Sequence, residues 1–290
     1  MRVLNSVWVG EVLGPLEQLC IRSGLAAGHA FHVYSYEPDK LRGVPPGAEI
    51  RDAAEVMPRE RMTAYAECNS FVLGSNFWRY EMLRQGRGFW VDLDLLLLKP
   101  LDLDQDYVFG KEREGSINTA VMLAPADSAL VRDLVEFPKT MRRPPWFGAR
   151  RSFNYYVRRL HQGPLRLEDQ PWGTYGPQML SYFVQKHGLE RFAADPEVFY
   201  PVSWRNAGLL YEPAEKVEML LTERTYAIHL YNSQLRELAK NPPPRGSFMA
   251  AQFDRLGMPS WETPCGSRMG NQEPEQYDQL IPTATVTAWG

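Results

Sequence analysis

Apolar positions in the first third of the chain switch between two spacings. Arg2–Val9 is a short β-rich run that ends at Gly10, after which Leu13, Leu16, Leu19 and Cys20 recur at helical spacing. The turn Ala27-Gly28-His29 closes that segment, and Phe31–Tyr36 alternates apolar and polar residues with period two. A strand–helix–strand opening of this kind predicts an α/β protein, its largely parallel sheet carrying helices on both faces. Further on, Arg59–Ala66 and Phe71–Arg84 read as helices, and Gly86-Arg87-Gly88 ends the second. Phe89–Val91 resumes as a strand and Ser116–Ala124 is another. Helices are expected at Ser128–Val135, Gln178–His187 and Phe248–Leu256, and a short strand at Tyr226–Leu230. Between them, Pro138–Arg151 is basic, contains prolines and breaks the pattern, as a long surface loop does. From Pro259 the chain has no period and is rich in Pro, Gly, Gln and Thr. The expected organisation is one domain over residues 1–258 and an extended tail over 259–290.

Composition narrows the function classes. The chain has 290 residues, 44% of them apolar, enough to bury a full core without disulfides or metals as staples. A net charge of −3 leaves no excess of positive charge to hold a phosphate backbone, so nucleic acid is not the expected partner. No apolar run approaches the roughly 18 residues needed to cross a bilayer, and the first residues lack the pattern of a signal peptide. Cys20, Cys68 and Cys265 are odd in number and scattered, which suits a reducing compartment and a cytoplasmic protein.

The sharpest chemical signal is Phe89-Trp90-Val91-Asp92-Leu93-Asp94. Carboxylates at i and i+2 of an extended chain share a face, roughly 7 Å apart by Cα. Oxygen ligands of this kind suit Mg²⁺ or Mn²⁺, and the carboxyl ends of strands are where open α/β sheets bind ligands. The alternative is a solvated strand end in which Asp92 and Asp94 cap nearby amides. Asp102, Asp104 and Asp106 open like an EF-hand, but Tyr107 and Arg113 stand where that loop needs Gly and Glu, so they read as a solvated turn. Asn76 and Arg79 share one face of the expected helix, and an arginine aimed at the same crevice would suit a diphosphate. His29 and His32 read as structural. His229, inside an apolar strand, reads on its own as a core residue.

Taken in order, these blocks resemble a family. Ser6-Val7-Trp8-Val9-Gly10, Ser75-Asn76-Phe77-Trp78-Arg79-Tyr80 and Gly88-Phe89-Trp90-Val91-Asp92-Leu93-Asp94 are similar to the D-x-D glycosyltransferases of the GT32 type, bacterial capsule and lipooligosaccharide sugar transferases among them. Ser116-Ile117-Asn118-Thr119-Ala120, Thr174-Tyr175-Gly176-Pro177, Phe199-Tyr200-Pro201 and Ile228-His229-Leu230-Tyr231-Asn232 follow in the same order, so that the resemblance covers roughly residues 3–256. Three positions depart from the family: Arg87 replaces the first of two glycines, Asn76 stands where Asp is frequent, and Leu93 is bulkier than usual.

The resemblance implies a GT-A-like fold, a nucleotide-binding sheet flanked by helices and merged with a smaller acceptor-side region. It implies a retaining transferase for surface polysaccharide synthesis, with a nucleotide-sugar donor, UDP-linked in most relatives, a glycan or lipid-linked acceptor, and Mn²⁺ or Mg²⁺. By the same resemblance Trp8, Asn76, Arg79, Trp90 and Asp92 would bind the donor, with Asp92, Asp94 and Arg79 catalytic. Asp92, Asp94, His229 and Asn232 would hold the metal, and Asn118, Gly176 and Pro177 would face the acceptor. A binding protein that kept the fold without catalysis, and a metal-dependent phosphoesterase, are the competing readings. The basic stretch with Lys139, Arg142, Arg143, Arg150 and Arg151 around Trp146 and Phe147 reads either as a solvated loop or as peripheral contact with an anionic membrane at its inner face.

Overall fold

In the computed structural model, residues 2–66, 70–112 and 115–258 are described; Cys68 and the expected tail, which contains Cys265, lie outside them. Seven strands form one sheet in the order β3-β2-β1-β4-β7-β6-β8: β1 Leu4–Trp8, β2 Phe31–Ser35, β3 Glu49–Asp52, β4 Phe89–Val91, β6 Val108–Lys111, β7 Ile117–Leu123 and β8 Ala193–Ala194. A two-stranded antiparallel ladder pairs β5 Leu95–Leu97 with β9 Ala227–His229. The first four strands of the large sheet run parallel, and β7 lies antiparallel to both β4 and β6. This is the expected α/β class, a mostly parallel sheet with helices against it.

Alternation along the strands explains the layers. Leu4, Phe31, Val33, Phe89 and Val91 face one side, where Ile21 of helix α1 (Pro15–Ala26) packs. Val7, Tyr34 and Trp90 face the other, against α2 (Val72–Arg84), α3 (Ala129–Glu136) and α5 (Pro177–Lys186) through Trp78, Leu134 and Phe183. A third cluster joins Leu19 and Cys20 of α1 to Leu96 and Ile228 of the small ladder and to Phe248 and Met249 near the end of the described chain. Cys20 is a free, buried thiol packed as a small hydrophobe.

Strand order reverses at β1, which pairs with β2 on one side and β4 on the other. The β1–β4 ladder is only two residues long, so buried side chains extend it. Asn5 donates to the carbonyls of Arg87 (2.9 Å) and Phe89 (3.1 Å), and the Ser6 hydroxyl donates to the carbonyl of Val91. Gly88 leads into β4 with φ +109°, and a Cβ there would sit 2.6 Å from the Val3 carbonyl oxygen. Only glycine fits.

Two local expectations are corrected. Arg59–Ala66 is not a helix: a 3₁₀ turn covers Arg59–Arg61, and the chain then lies against α2. The Thr63 carbonyl accepts from Gly74 at 2.9 Å and the Tyr65 amide donates to Ser70 at 3.0 Å, so these backbone groups bond outward instead of to i−4. Gly74 permits that approach, because a Cβ there would meet Thr63 backbone at 2.9 Å. Nor is Pro138–Arg151 one long loop: a 3₁₀ turn spans Pro138–Thr140, and helix α4 (Ala149–Gln162) begins inside the stretch. Tyr155 is the buried residue of α4, and with Phe147 and Leu165 it forms a small outlying cluster.

Candidate active site

The parallel strands deliver Trp8 at the end of β1 and Asp92 just beyond β4, beside the point where strand order reverses. Open α/β sheets bind ligands at such a crevice. The Asp92 amide donates to Ala120 and its carbonyl accepts from Leu95, so the chain turns at Asp92–Leu95 before entering β5. In the small ladder Leu95 lies opposite His229, and the Asp94 carbonyl accepts from the Leu230 amide at 2.8 Å. Ser23 of α1 fixes this ladder by accepting from the Leu97 amide. A helix, a turn and two distant strands thus bring His229 to the aspartates.

Among the described residues, Asp92, Asp94 and His229 form the group able to share one metal ion, with candidate ligand atoms within 4.8 Å of one another. His229 Nε2 lies 3.0 Å from Asp94 Oδ1, and Asp94 Oδ2 accepts from the Asn232 amide at 3.2 Å. Burial pulls the His229 imidazole down, but the Asp94 carboxylate outweighs it and holds the ring above its ordinary value. Burial acts on Asp94 in the opposite sense, and the His229 charge and hydrogen bond, with the Asn232 amide, keep that carboxyl below its usual range. Asp92 differs: burial lifts it, and Arg79 offsets only part of the rise. Two carboxylates and an imidazole are a donor set for a divalent first-row cation. Asn232 Oδ1 is buried without a partner, and its Nδ2 is held by Glu17 Oε1 at 2.7 Å. A bound cation is one group that would satisfy this orphaned acceptor, so the residues present suit the metal that the sequence resemblance implies.

Arg79 and Trp90 serve Asp92. The Trp90 indole donates to Asp92 Oδ1 at 2.7 Å, and Arg79 Nη2 lies 3.2 Å from the same oxygen. Arg79 Nη1 donates to the Thr119 carbonyl at 2.6 Å, and the guanidinium sits 4.5 Å from the Trp90 ring centre. The guanidinium is therefore committed to the carboxylate and to the β7 backbone. Asn76, one turn earlier on α2, is buried with both amide atoms unpartnered, and Gly176 abuts it. A buried amide without partners calls for an explanation, and a bound ligand is one. Pro177 starts α5 directly after Gly176.

At the end of β1, Trp8, Gly10, Ser35, Tyr36 and Arg59 line a cleft of about 130 Å³, and the Trp8 indole nitrogen has no partner. On the far side of the cluster Asn118 donates to Glu112 Oε1 at 2.9 Å, and its own carbonyl accepts from the Ala120 amide. The structure thus gathers Asp92, Asp94, His229 and Asn232, sets Arg79 and Trp90 behind Asp92, and leaves Trp8 and Asn76 with free polar atoms. His29 is structural as expected, its two ring nitrogens bridging the Arg2 carbonyl and the Leu101 amide.

Three further residues lie near the cluster, and two of them, Glu17 and Glu112, carry no sequence signal. Glu17, in the first turn of α1, reads as an ordinary acid at a helix N-terminus. Burial lifts its carboxyl to about 7, the Asn232 hydrogen bond countering part of this. Glu112 accepts from Asn118, Ser116 and Tyr231. Tyr231 adopts a left-handed backbone at φ 55°, and its ring centre lies 4.0 Å from that of His229. Such a conformation is costly for a bulky residue and gathers at functional sites.

Sequence comparison matches part of this site to a known region. The model of the alpha 1,4-glycosyltransferase conserved region matches residues 166–244. That stretch includes Gly176, Pro177, His229 and Asn232, whereas the two aspartates precede it. The lactosylceramide 4-alpha-galactosyltransferases of rat (Rattus norvegicus) and mouse (Mus musculus) are each 33% identical over 75 residues, covering 22% of this chain and 21% of theirs. The match thus spans about a fifth of those relatives' length. Similar solved structures include the PaToxG glycosyltransferase (TM-score 0.43, 10% identity, 91% of this chain and 80% of that one). The ligand-free glycosyltransferase domain of the YGT toxin is another (TM-score 0.45, 8% identity, 88% and 98%).

Proposed function

We propose that this protein is a metal-dependent retaining glycosyltransferase that moves a hexose from a nucleotide-sugar to a glycan or glycolipid acceptor. The observation that carries the reading is the convergence of Asp92, Asp94 and His229 at the reversal of strand order, with His229 inside the matched glycosyltransferase region. The names of the relatives make a galactosyl donor and a glycolipid acceptor the first to try, with UDP as the carrier that the sequence resemblance implies. Surface polysaccharide synthesis is the setting that the sequence resemblance favours.

Asp92, Asp94 and His229 would hold the cation, with Asn232 as a further oxygen ligand. A bound Mn²⁺ or Mg²⁺ supplies positive charge to a departing nucleoside diphosphate. Arg79 and the Trp90 indole keep the Asp92 carboxylate aimed, so the geometry exists before the donor arrives. The Trp8 cleft offers an aromatic face and an indole N–H to the base, and the Asn76 amide offers both a donor and an acceptor to the sugar. Asn118 and the Gly176-Pro177 turn border the acceptor side. Retention requires the acceptor hydroxyl to attack from the face the diphosphate leaves.

The test is a screen of UDP-, GDP- and CMP-sugars for Mn²⁺-dependent turnover, first without acceptor and then with glycolipids. Release of free sugar and nucleoside diphosphate is expected. Release of inorganic phosphate would mean a phosphoesterase, and donor binding without any turnover would mean a binding protein.

A further inference from the structure

Helix α4 turns its apolar stripe outward. Phe153, Tyr156, Val157 and Leu160 stand at i, i+3, i+4 and i+7, the spacing of a helix face made for burial. Their exposures are 68%, 56%, 37% and 83%, and on the opposite side Tyr155 is the residue that anchors the helix to the body. Four large apolar side chains in one contiguous row on a solvent face mark an interaction surface.

Charge identifies the occupant. From Pro138 to Leu167 the chain carries Lys139 and seven arginines and no Asp or Glu, a quarter of its 32 lysines and arginines in 30 residues. With a total of −3, the rest of the chain holds −11. Arg150 and Arg159 flank the stripe, are exposed, and make no ion pair among the described residues. A basic helix with aromatic and leucine side chains on its open face, on an otherwise acidic body, has the chemistry of a segment that lies in the interface of an anionic bilayer.

We propose that α4 docks this protein on an anionic lipid surface, its stripe entering the headgroup boundary and its arginines meeting lipid phosphates. The sequence expectation of membrane contact rested on the charges of a loop; the structure supplies a formed helix and an apolar face. Arg151 Nη1 bonds to Gln178 Oε1 at 2.9 Å, tying the helix to the first turn of α5, whose leading Gly176 abuts Asn76. Docking would therefore hold the candidate site beside whatever acceptor the membrane carries. The proposal does not rest on the catalytic reading, because vesicle binding is measured without donor or metal.

The experiment is co-sedimentation of the full chain with vesicles of phosphatidylglycerol and phosphatidylcholine, against phosphatidylcholine alone. Binding to the anionic vesicles at low salt is expected, falling at least tenfold on neutral vesicles or at 1 M salt, where the Debye length is about 3 Å. Phe153→Ser with Leu160→Ser, and separately Arg150→Ser with Arg159→Ser, should each lower partitioning at least tenfold. Thermal unfolding should stay unchanged, since all four side chains are already in water. A wild type indifferent to anionic vesicles overturns the proposal, and so do stripe variants that bind as the wild type does. A dimer in solution that the Phe153→Ser, Leu160→Ser variant turns into a monomer overturns it too, because a second copy then covers the stripe. Metal-dependent donor turnover in solution, measured on the same samples, reports separately on the catalytic site.

Discussion

Replacing Trp90 by Phe tests whether the aim of Asp92 matters to turnover. Trp90 is fully within the core at 2% exposure, and its ring supports the Arg79 guanidinium from 4.5 Å. Phe keeps an aromatic face for Arg79 and removes the N–H that donates to Asp92 Oδ1 at 2.7 Å. A hydrogen bond to a charged group contributes about 1.5–3 kcal/mol. At about 1.4 kcal/mol per factor of ten, its loss in a transition state that needs the carboxylate fixed lowers kcat roughly ten- to a hundredfold. Arg79 still holds the same oxygen at 3.2 Å, so the donor KM should change far less than kcat. The assay is Mn²⁺-dependent donor hydrolysis with kcat and KM resolved, alongside thermal unfolding. A kcat within twofold of wild type, in a variant that folds, would remove Trp90 from the machinery and leave it a core residue.

Four further outcomes follow from the same geometry. Asp94→Asn should abolish turnover with circular dichroism unchanged; near wild-type transfer would end the metal-site reading. His229→Ala should raise the Mn²⁺ concentration needed for half-maximal activity by about tenfold or more, by analogy with the loss of a metal's supporting partners; unchanged metal dependence with a large loss of stability would return His229 to the core. Gly88→Ala combines left-handed strain with a Cβ 2.6 Å from the Val3 carbonyl, and should cost about 2–3 kcal/mol; that is a fall in Tm of about 4–12 °C, and a fall under about 2 °C would refute the steric argument. Burial would raise the Asp133 carboxyl, but hydrogen bonds from Lys186 (2.6 Å) and His187 (2.9 Å) hold it below its usual range. Its stabilisation is present above the unfolded carboxylate value of about 3.9 and is lost as pH falls through the folded value. Asp133→Asn should therefore lower stability at neutral pH and flatten its acid dependence near that range, as urea titrations at several pH values would record.

Burial decided which elements the sequence made legible. Phe89–Val91 was read with its observed ends, and β1, β2 and β7 lie inside the expected runs, because each strand sends apolar side chains into a packed layer. The edge strand β3, Glu49–Asp52, has no fully buried residue, so its composition follows solvent instead of a core. Helix α4 escaped for a related reason. Its single anchor, Tyr155, gives no inward stripe, and Arg150 and Arg151 at its start extend the basic run that reads as loop. The stripe at Phe153, Tyr156, Val157 and Leu160 has ordinary helical period, but it faces out.

The site divides along a similar line. Asp92 and Asp94 are visible because they are two charges two residues apart at the end of an apolar strand, a placement that requires neutralisation. His229 is 135 residues beyond Asp94, and only the β5–β9 register makes them neighbours; the resemblance to a family drew attention to it where spacing could not. Glu17 and Glu112 lie beyond either kind of inference, being single acids in segments with ordinary surface chemistry. Their positions follow from tertiary closure: α1 brings Glu17 to the Asn232 amide, and Glu112, beyond β6, meets Asn118 and Tyr231. Of these acids, Asp92 and Asp94 are the two that share a cluster with His229, and the Arg79 guanidinium is already engaged with Asp92. Two carboxylates held close together and largely out of water are costly in isolation, and a divalent cation would offset that cost. That cost is the physical reason to test this crevice for a cation.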